Sequence, residues 1–313
     1  MSNLTTTAIE IISQLQQLLR EQYRGDDGGL TILKEIVQNA DDSGASRLHF
    51  VVLRSGIKGA TNPLLRGPAL VCVNDGSFTA ENERAIRRMA GTSKAENPAS
   101  VGRFGVGQKS VFHLVEAYFY LGRSPEAAKP LADVINPWSE DQTSEEQEAD
   151  PSYRAWDKFD GADQDRVLDA VKQWTPGESW FVLYLPLRLP AHEREAAGVI
   201  YPHYPDVDKL EAGLEGMVEL GYLLPQLGHL REINAWRDDG RGQTQLLGRA
   251  SRGDQGRGLS RPGDANPPQS SFEVDVEIVG VGGEITRLHA TGEERCVPDV
   301  QLSRLQSNKA WPQ

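Results

Sequence analysis

Apolar residues recur at helical spacing at Ile9, Ile12, Leu15, Leu18 and Leu19, which predicts a first helix over Ala8 to Gln22. The glycine- and aspartate-rich stretch Tyr23 to Gly29 ends it. In a second amphipathic run, Ile32, Leu33, Ile36, Val37 and Ala40 supply the apolar stripe, with Thr31 as predicted cap and Gly44 as predicted stop. The pattern then turns to short apolar runs. Arg47 to Leu53 and Ala69 to Asn74 predict strands, the second ending at Asp75-Gly76. Thr79 predicts the start of a helix through Met89, with Glu81 and Glu83 in the first turn, where the helix dipole favours acid. Gln108 to Glu116 predicts a further helix and Ala117 to Leu121 a strand.

From Arg123 to Thr175 the pattern weakens, and Ser139 to Asp150 holds six acids and no base, the composition of a solvated loop. Strand character returns at Trp180 to Leu185. A composition shift at Pro202 to Pro205 predicts a boundary, giving one domain over 1–195, with an acidic insertion near 123–175, and a smaller α+β segment over 196–313. The leucine-rich run Leu210 to Trp236 predicts helices interrupted at Gly221 and Pro225. Gln243 to Leu247 and Phe272 to Ile278 predict strands, and Ile285 to Thr291 pairs with the latter as a hairpin.

Composition narrows the function classes. With 313 residues, 38% hydrophobic and 25% charged, the chain is long enough for a large core, and no run of about 18 apolar residues predicts a membrane span. The formal charge of −12 argues against a general phosphate-backbone binder, so nucleic acid is not an expected partner. Two distant cysteines, Cys72 and Cys296, exclude a disulfide framework and fit a reducing, cytoplasmic setting; the N-terminus has no secretory pattern. The six histidines have no zinc-ligand spacing with either cysteine.

Candidate chemistry gathers in three places. Glu35 and Asn39 lie four residues apart and Asp42 three further on, so a helix brings them to one side, beside its apolar stripe. A carboxylate next to a carboxamide suits a metal–phosphate group. Asp75-Gly76 stands at a strand end. Gly102-x-x-Gly105-x-Gly107 leads into a predicted helix, where amide N–H groups and the dipole can cradle an anion.

In this order, each at a helix or strand end, the three motifs resemble the GHKL superfamily of ATPases. The closest resemblance is to the chaperone-like ATPase modules of the sacsin type. Ile32 to Ala45, Gly91-Thr92-Ser93-Lys94, Val101 to Leu114 and Leu185-Pro186-Leu187-Arg188 carry that likeness, which spans roughly residues 10 to 190.

The resemblance implies an α/β fold of the Bergerat type, a two-layer sandwich of mixed sheet and helices with a smaller C-terminal α+β segment. It implies Glu35 as general base toward water, Asn39 as the Mg²⁺ ligand, and ATP as the nucleotide. Asp75 would accept the adenine amino N–H, Gly76 would let the base approach, and Asp42 would support that end. Gly102, Gly105 and Gly107 would wrap the phosphates, with further contacts from Thr92, Lys94, Phe104 and Val106, and Ser179 would supply the hydroxyl near adenine on a late strand. The second glycine of the adenine motif is absent, and Phe78 stands nearby. Arg188 is a distant candidate for the cation that relatives direct at the γ-phosphate. The expected function is a slowly hydrolysing conformational switch of chaperone type, with a protein client or partner and the self-association seen in relatives. Two alternatives stay open: a non-catalytic ATP-gated interaction module, and a DNA-maintenance ATPase.

Overall fold

Residues 6–22, 29–90, 109–126, 129–139, 154–175, 177–194, 198–215, 217–240, 243–253 and 271–293 are described by the computed structural model, and every feature below lies within them. Strand β1, Arg47–Leu53, is the middle strand of a nine-stranded mixed sheet. The others are β2 (Ala69–Asn74), β3 (Tyr118–Arg123), β4 (Leu131–Ile135), β5 (Trp180–Pro186), β6 (Glu232–Asp238), β7 (Thr244–Arg252), β8 (Ser271–Gly280) and β9 (Ile285–Glu293). Their spatial order is β4-β3-β5-β2-β1-β6-β7-β8-β9. Among the described residues β1 and β6 form the sheet's one parallel pair.

Alternation along each strand divides the apolar residues between two cores. Leu48, Phe50 and Val52 of β1 and Leu70 and Cys72 of β2 meet Leu15 and Leu19 of α1 (Thr6–Gln22) and Ile32, Leu33, Ile36 and Val37 of α2 (Leu30–Asp42). The same core continues through Ile233, Ala235, Ala250, Val276 and Ile278. The predicted boundary at 195/196 falls after β5, and both sheet and core run on across it. On the opposite face Val51, Leu53, Val71 and Val73 pack against Leu65, Trp156, Trp174 and, from a helix over Gly161–Val171, Val167 and Val171. The sheet is therefore helix-covered on one side from β4 to β8, and on the other side beside β1 to β5.

Several elements depart from expectation. Helix α2 starts at Leu30, and its N-cap is Gly29 at φ 86°, a left-handed backbone that glycine adopts freely; Thr31 lies inside the first turn. Of the expected helix over Gln108 to Glu116, the described part from Lys109 holds a helical residue at Lys109 and a 3-10 turn, Ser110–His113, and Arg188 holds the carbonyls of Phe112, His113 and Val115. The leucine-rich run gives short helices at Val207–Leu214 and Val218–Gly221, but its end, Glu232–Asp238, is strand β6, because Ile233 and Ala235 alternate into the core. The weakly patterned stretch before Thr175 supplies β4 and the helix over Gly161–Val171, whose N-cap Asp160 accepts the N–H of Ala162 (2.8 Å).

Buried polar groups fasten the loops. Asp41, 4% exposed, accepts the N–H groups of Gly228 (3.1 Å), His229 (2.6 Å) and Leu230 (2.8 Å), tying α2 to the chain that enters β6. Asp163 is fully buried and accepts the Thr61 hydroxyl (2.7 Å), the amides of Thr61 and Asn62, and Arg166 Nη1 (2.9 Å).

Candidate functional site

At roughly 100° per residue, Ile32, Ile36, Ala40, Leu33, Val37 and Asp41 sweep out the buried side of α2. Glu35 and Asn39 fall together at one edge of that arc, both half-buried, and Asp42 lies further out, exposed. Among the described residues neither the Glu35 carboxylate nor the Asn39 carboxamide has a hydrogen-bond or ion-pair partner. On the other edge Lys34 pairs with Glu219 (3.7 Å), so among the described residues this flank carries an ion pair while Glu35 and Asn39 have none.

The end of β2 assigns its polar groups differently from expectation. Leu70 and Cys72 face α2, so alternation carries Asn74 to that same face, where it is 8% exposed and its Oδ1 accepts the Gly76 N–H (3.0 Å). Asp75 lies past the strand. Its carboxylate accepts the Ser46 N–H (2.7 Å), the Ser46 hydroxyl (2.6 Å) and the Arg47 N–H (2.9 Å), which clamps the turn between α2 and β1. Gly76 is needed for packing, because a Cβ there would lie 2.3 Å from Ser43 Oγ at the end of α2. Counting by twos from Leu70 identifies Asn74 in the sequence; the eye is drawn instead to the Asp-Gly pair.

Phe78, which stands near the place of the absent glycine, lies flat over β3. A Cβ on Gly122 would stand 2.1 Å from its ring. Phe78 stacks on Phe181 (4.8 Å between centroids) and leans on Tyr120 (5.5 Å), closing the sheet surface with aromatic rings. Ser179, half-buried, precedes β5; since Phe181 pairs with Asn74, it lies beyond the end of β2. Thr92, Lys94, Gly102, Phe104, Gly105, Val106 and Gly107 lie outside the described residues.

Lys109 is the first described residue after the glycine-rich stretch; it is half-buried, and burial lowers its pKa. Behind it stands Arg188, 2% exposed, whose Nη1 donates to the His113 carbonyl (2.8 Å) and whose Nη2 donates to those of Phe112 and Val115 (2.7 Å each). Its Nε pairs with Glu116 and its guanidinium lies over the Tyr204 ring (5.2 Å). Arg188, the distant candidate for a phosphate-directed cation, thus has its guanidinium engaged by the turn.

As to a metal, no three of His, Cys, Asp or Glu come together among the described residues. A Mg²⁺ ion keeps most of its waters and takes one or two protein oxygens beside phosphate, a demand that the open Asn39 carboxamide fits.

The Sacsin domain, as a sequence family, matches residues 8–164 of the chain. Sacsin of Homo sapiens is 36% identical over 117 residues, which is 35% of this chain and 2% of that much longer protein. The crystal structure of the N-terminal domain of a DNA repair protein aligns with a TM-score of 0.38 and 12% identity, covering 93% of this chain and 73% of that one.

Proposed function

Given that the chain belongs to the Sacsin domain family, we propose that it binds Mg-ATP on the edge of α2 and hydrolyses it slowly, as a conformational switch of chaperone type. The observation that carries this reading is the adjacent, half-buried and unpartnered pair Glu35 and Asn39. A structural carboxylate and carboxamide held against a core ordinarily find partners; among the described residues these two have none, which leaves them available to a ligand.

In this reading the helical side of the sheet is the nucleotide layer of a Bergerat-type, GHKL fold. Asn39 holds Mg²⁺, which supplies charge neutralisation for the phosphates. Glu35 orients or deprotonates the attacking water. Asn74 stands where the base edge would lie, since it shares the face of α2 and Asp75 does not; its amide can both donate and accept. The remaining contacts expected from Asp42, Gly76, Ser179 and the segments around Thr92, Lys94 and Gly102 to Gly107 belong to the same proposal. So do a cytoplasmic setting, a protein client and self-association.

Phosphate release and Mg-ATP affinity, measured on one preparation, test it. Glu35→Ala is expected to keep binding and lose about 10²–10⁴-fold in rate. Asn39→Ala is expected to lose the magnesium dependence of binding, and Asn74→Ala to weaken nucleotide affinity. Absence of ATP binding by the unaltered chain would overturn the reading.

A second reading has its own observation. With Arg188 committed to backbone carbonyls, hydrolysis lacks the cation expected from the Leu185-Pro186-Leu187-Arg188 segment. Binding without turnover would then make the chain an ATP-gated interaction module, and the same two measurements separate the cases.

A further inference from the structure

Among the described residues the sheet face opposite α2 is uncovered beyond β1, and a depression of about 270 Å³ opens there, lined by Arg47, His49, Glu232, Asn234, Trp236 and Arg249, with Gln173 and Leu246 at its margin. Three strands build it by different means. β1 and β6 run parallel with Arg47 beside Glu232 and His49 beside Asn234, so simple alternation brings Arg47, His49, Glu232, Asn234 and Trp236 to one face. β7 requires a break in alternation. Leu246 and Arg249 are three residues apart and would face opposite ways in a regular strand. The register shift beside Ala235/Trp236 makes Leu247 an extra residue, buried in the main core, and returns Leu246 and Arg249 to the same side. Bulges that re-aim side chains in this way concentrate at binding sites.

The chemistry of the lining is specific. Trp236 Nε1–H donates to His49 Nδ1 (3.2 Å), which takes up the indole's only polar atom; the half-buried ring packs in part against the second core and lines the depression with the rest of its surface. The same bond fixes the neutral His49 tautomer with its proton on Nε2, a remaining donor. Arg47 is balanced by Glu232 (3.6 Å), and the nearly fully buried Asn234 donates to the same carboxylate (2.9 Å). Arg249, exposed at the rim, has no ion-pair or hydrogen-bond partner among the described residues, so the lining carries one uncompensated positive charge.

We propose that this depression is a second ligand site, separate from the edge of α2, for a small planar aromatic acid: the ring rests on Trp236 and its single carboxylate meets Arg249. The volume lies just below the roughly 300–1,000 Å³ of ordinary small-molecule pockets, which suits one substituted ring and excludes a whole nucleotide. The proposal does not depend on the ATP reading.

Benzoate, benzamide and inorganic phosphate, titrated into ¹⁵N-labelled chain while the Trp236 indole N–H resonance is followed, test it. Benzoate is expected to give a saturable shift at least about tenfold tighter than benzamide or phosphate, the factor that one charge-assisted hydrogen bond supplies. Arg249→Ala, at an exposed position, is expected to weaken benzoate by the same factor with an unchanged melting temperature, and Glu35→Ala is expected to leave benzoate binding intact. Failure of benzoate to saturate, an undiminished response in Arg249→Ala, or phosphate or benzamide binding as tightly as benzoate would each overturn it.

Discussion

Arg188 and Glu116 form an ion pair that closes the turn following the glycine-rich stretch. Arg188 satisfies three main-chain carbonyls, while Glu116 also accepts Trp138 Nε1–H (2.9 Å) and the Ile200 N–H (3.1 Å). Four separate segments therefore meet on two side chains. Removing the guanidinium would strand both the carboxylate and the carbonyls away from water. Arg188→Met is expected to cost about 3–5 kcal/mol in a urea unfolding titration. A loss under about 1 kcal/mol would show that the clamp is replaced by water.

Asp41 is expected to matter for folding in a way its neighbour Asp42 does not advertise. Asp41→Asn trades a charged acceptor of three amides for one with a single carbonyl oxygen, at about 2–3 kcal/mol. Amide hydrogen exchange at His229 and Leu230 should speed up before global unfolding does.

His49 gives the fold an acid-sensitive window. Burial, then the nearby Arg47, lowers its pKa to about 4. The unfolded chain takes up the proton at about pH 6.5 and the folded one only near 4, so the unfolded state binds more protons in between. Stability is therefore complete above about pH 6.5 and falls as pH drops toward 4. His49→Asn, measured by chemical unfolding across that range, should flatten the slope.

Asp163 acts in a lower window. Burial alone would raise its pKa, but the Thr61 hydroxyl, the Asn62 and Thr61 amides and Arg166 outweigh it and hold the carboxyl at about 2. Its contribution is present above the ordinary carboxylate value near 3.8 and is lost as pH falls through about 2. Asp163→Asn should remove the part of acid unfolding that lies below pH 4, and unchanged acid unfolding would count against this assignment.

Gly122 carries a steric prediction. A methyl group there meets the Phe78 ring, so Gly122→Ala must push Phe78 off β3 and break its stack on Phe181. A cost of about 1–3 kcal/mol is expected. Gly122→Ala combined with Phe78→Leu should recover part of the melting temperature.

Much of this was legible in the chain itself, for identifiable reasons. β2 ends where its apolar run ends, since it is buried on both faces; β1 is buried on both faces only from Phe50 to Leu53, with Arg47 and His49 facing the depression. Glu35 and Asn39 follow from helical spacing. Asp75 misleads because turn-forming residues stand out in a sequence, while the direction of a side chain depends on counting from the buried strand. Asp41 looks like one more acid at a helix end until the loop before β6 folds back on it. β6 is hidden because the preceding leucines continue a helical rhythm, and its strand partners, β7 after it and β1 far earlier in the chain, make the segment extended.

That partnership has a consequence for biosynthesis. β1 begins at Arg47 and waits for β6, which begins at Glu232, so a ribosome exposes the middle strand of the sheet long before its second neighbour exists. Through that interval β1 offers an open hydrogen-bonding edge of apolar residues, the surface on which nascent chains adhere to one another. Stalling or truncation between β1 and β6 leaves that edge bare, so a chain cut short there is a hazard to its neighbours as well as a lost molecule.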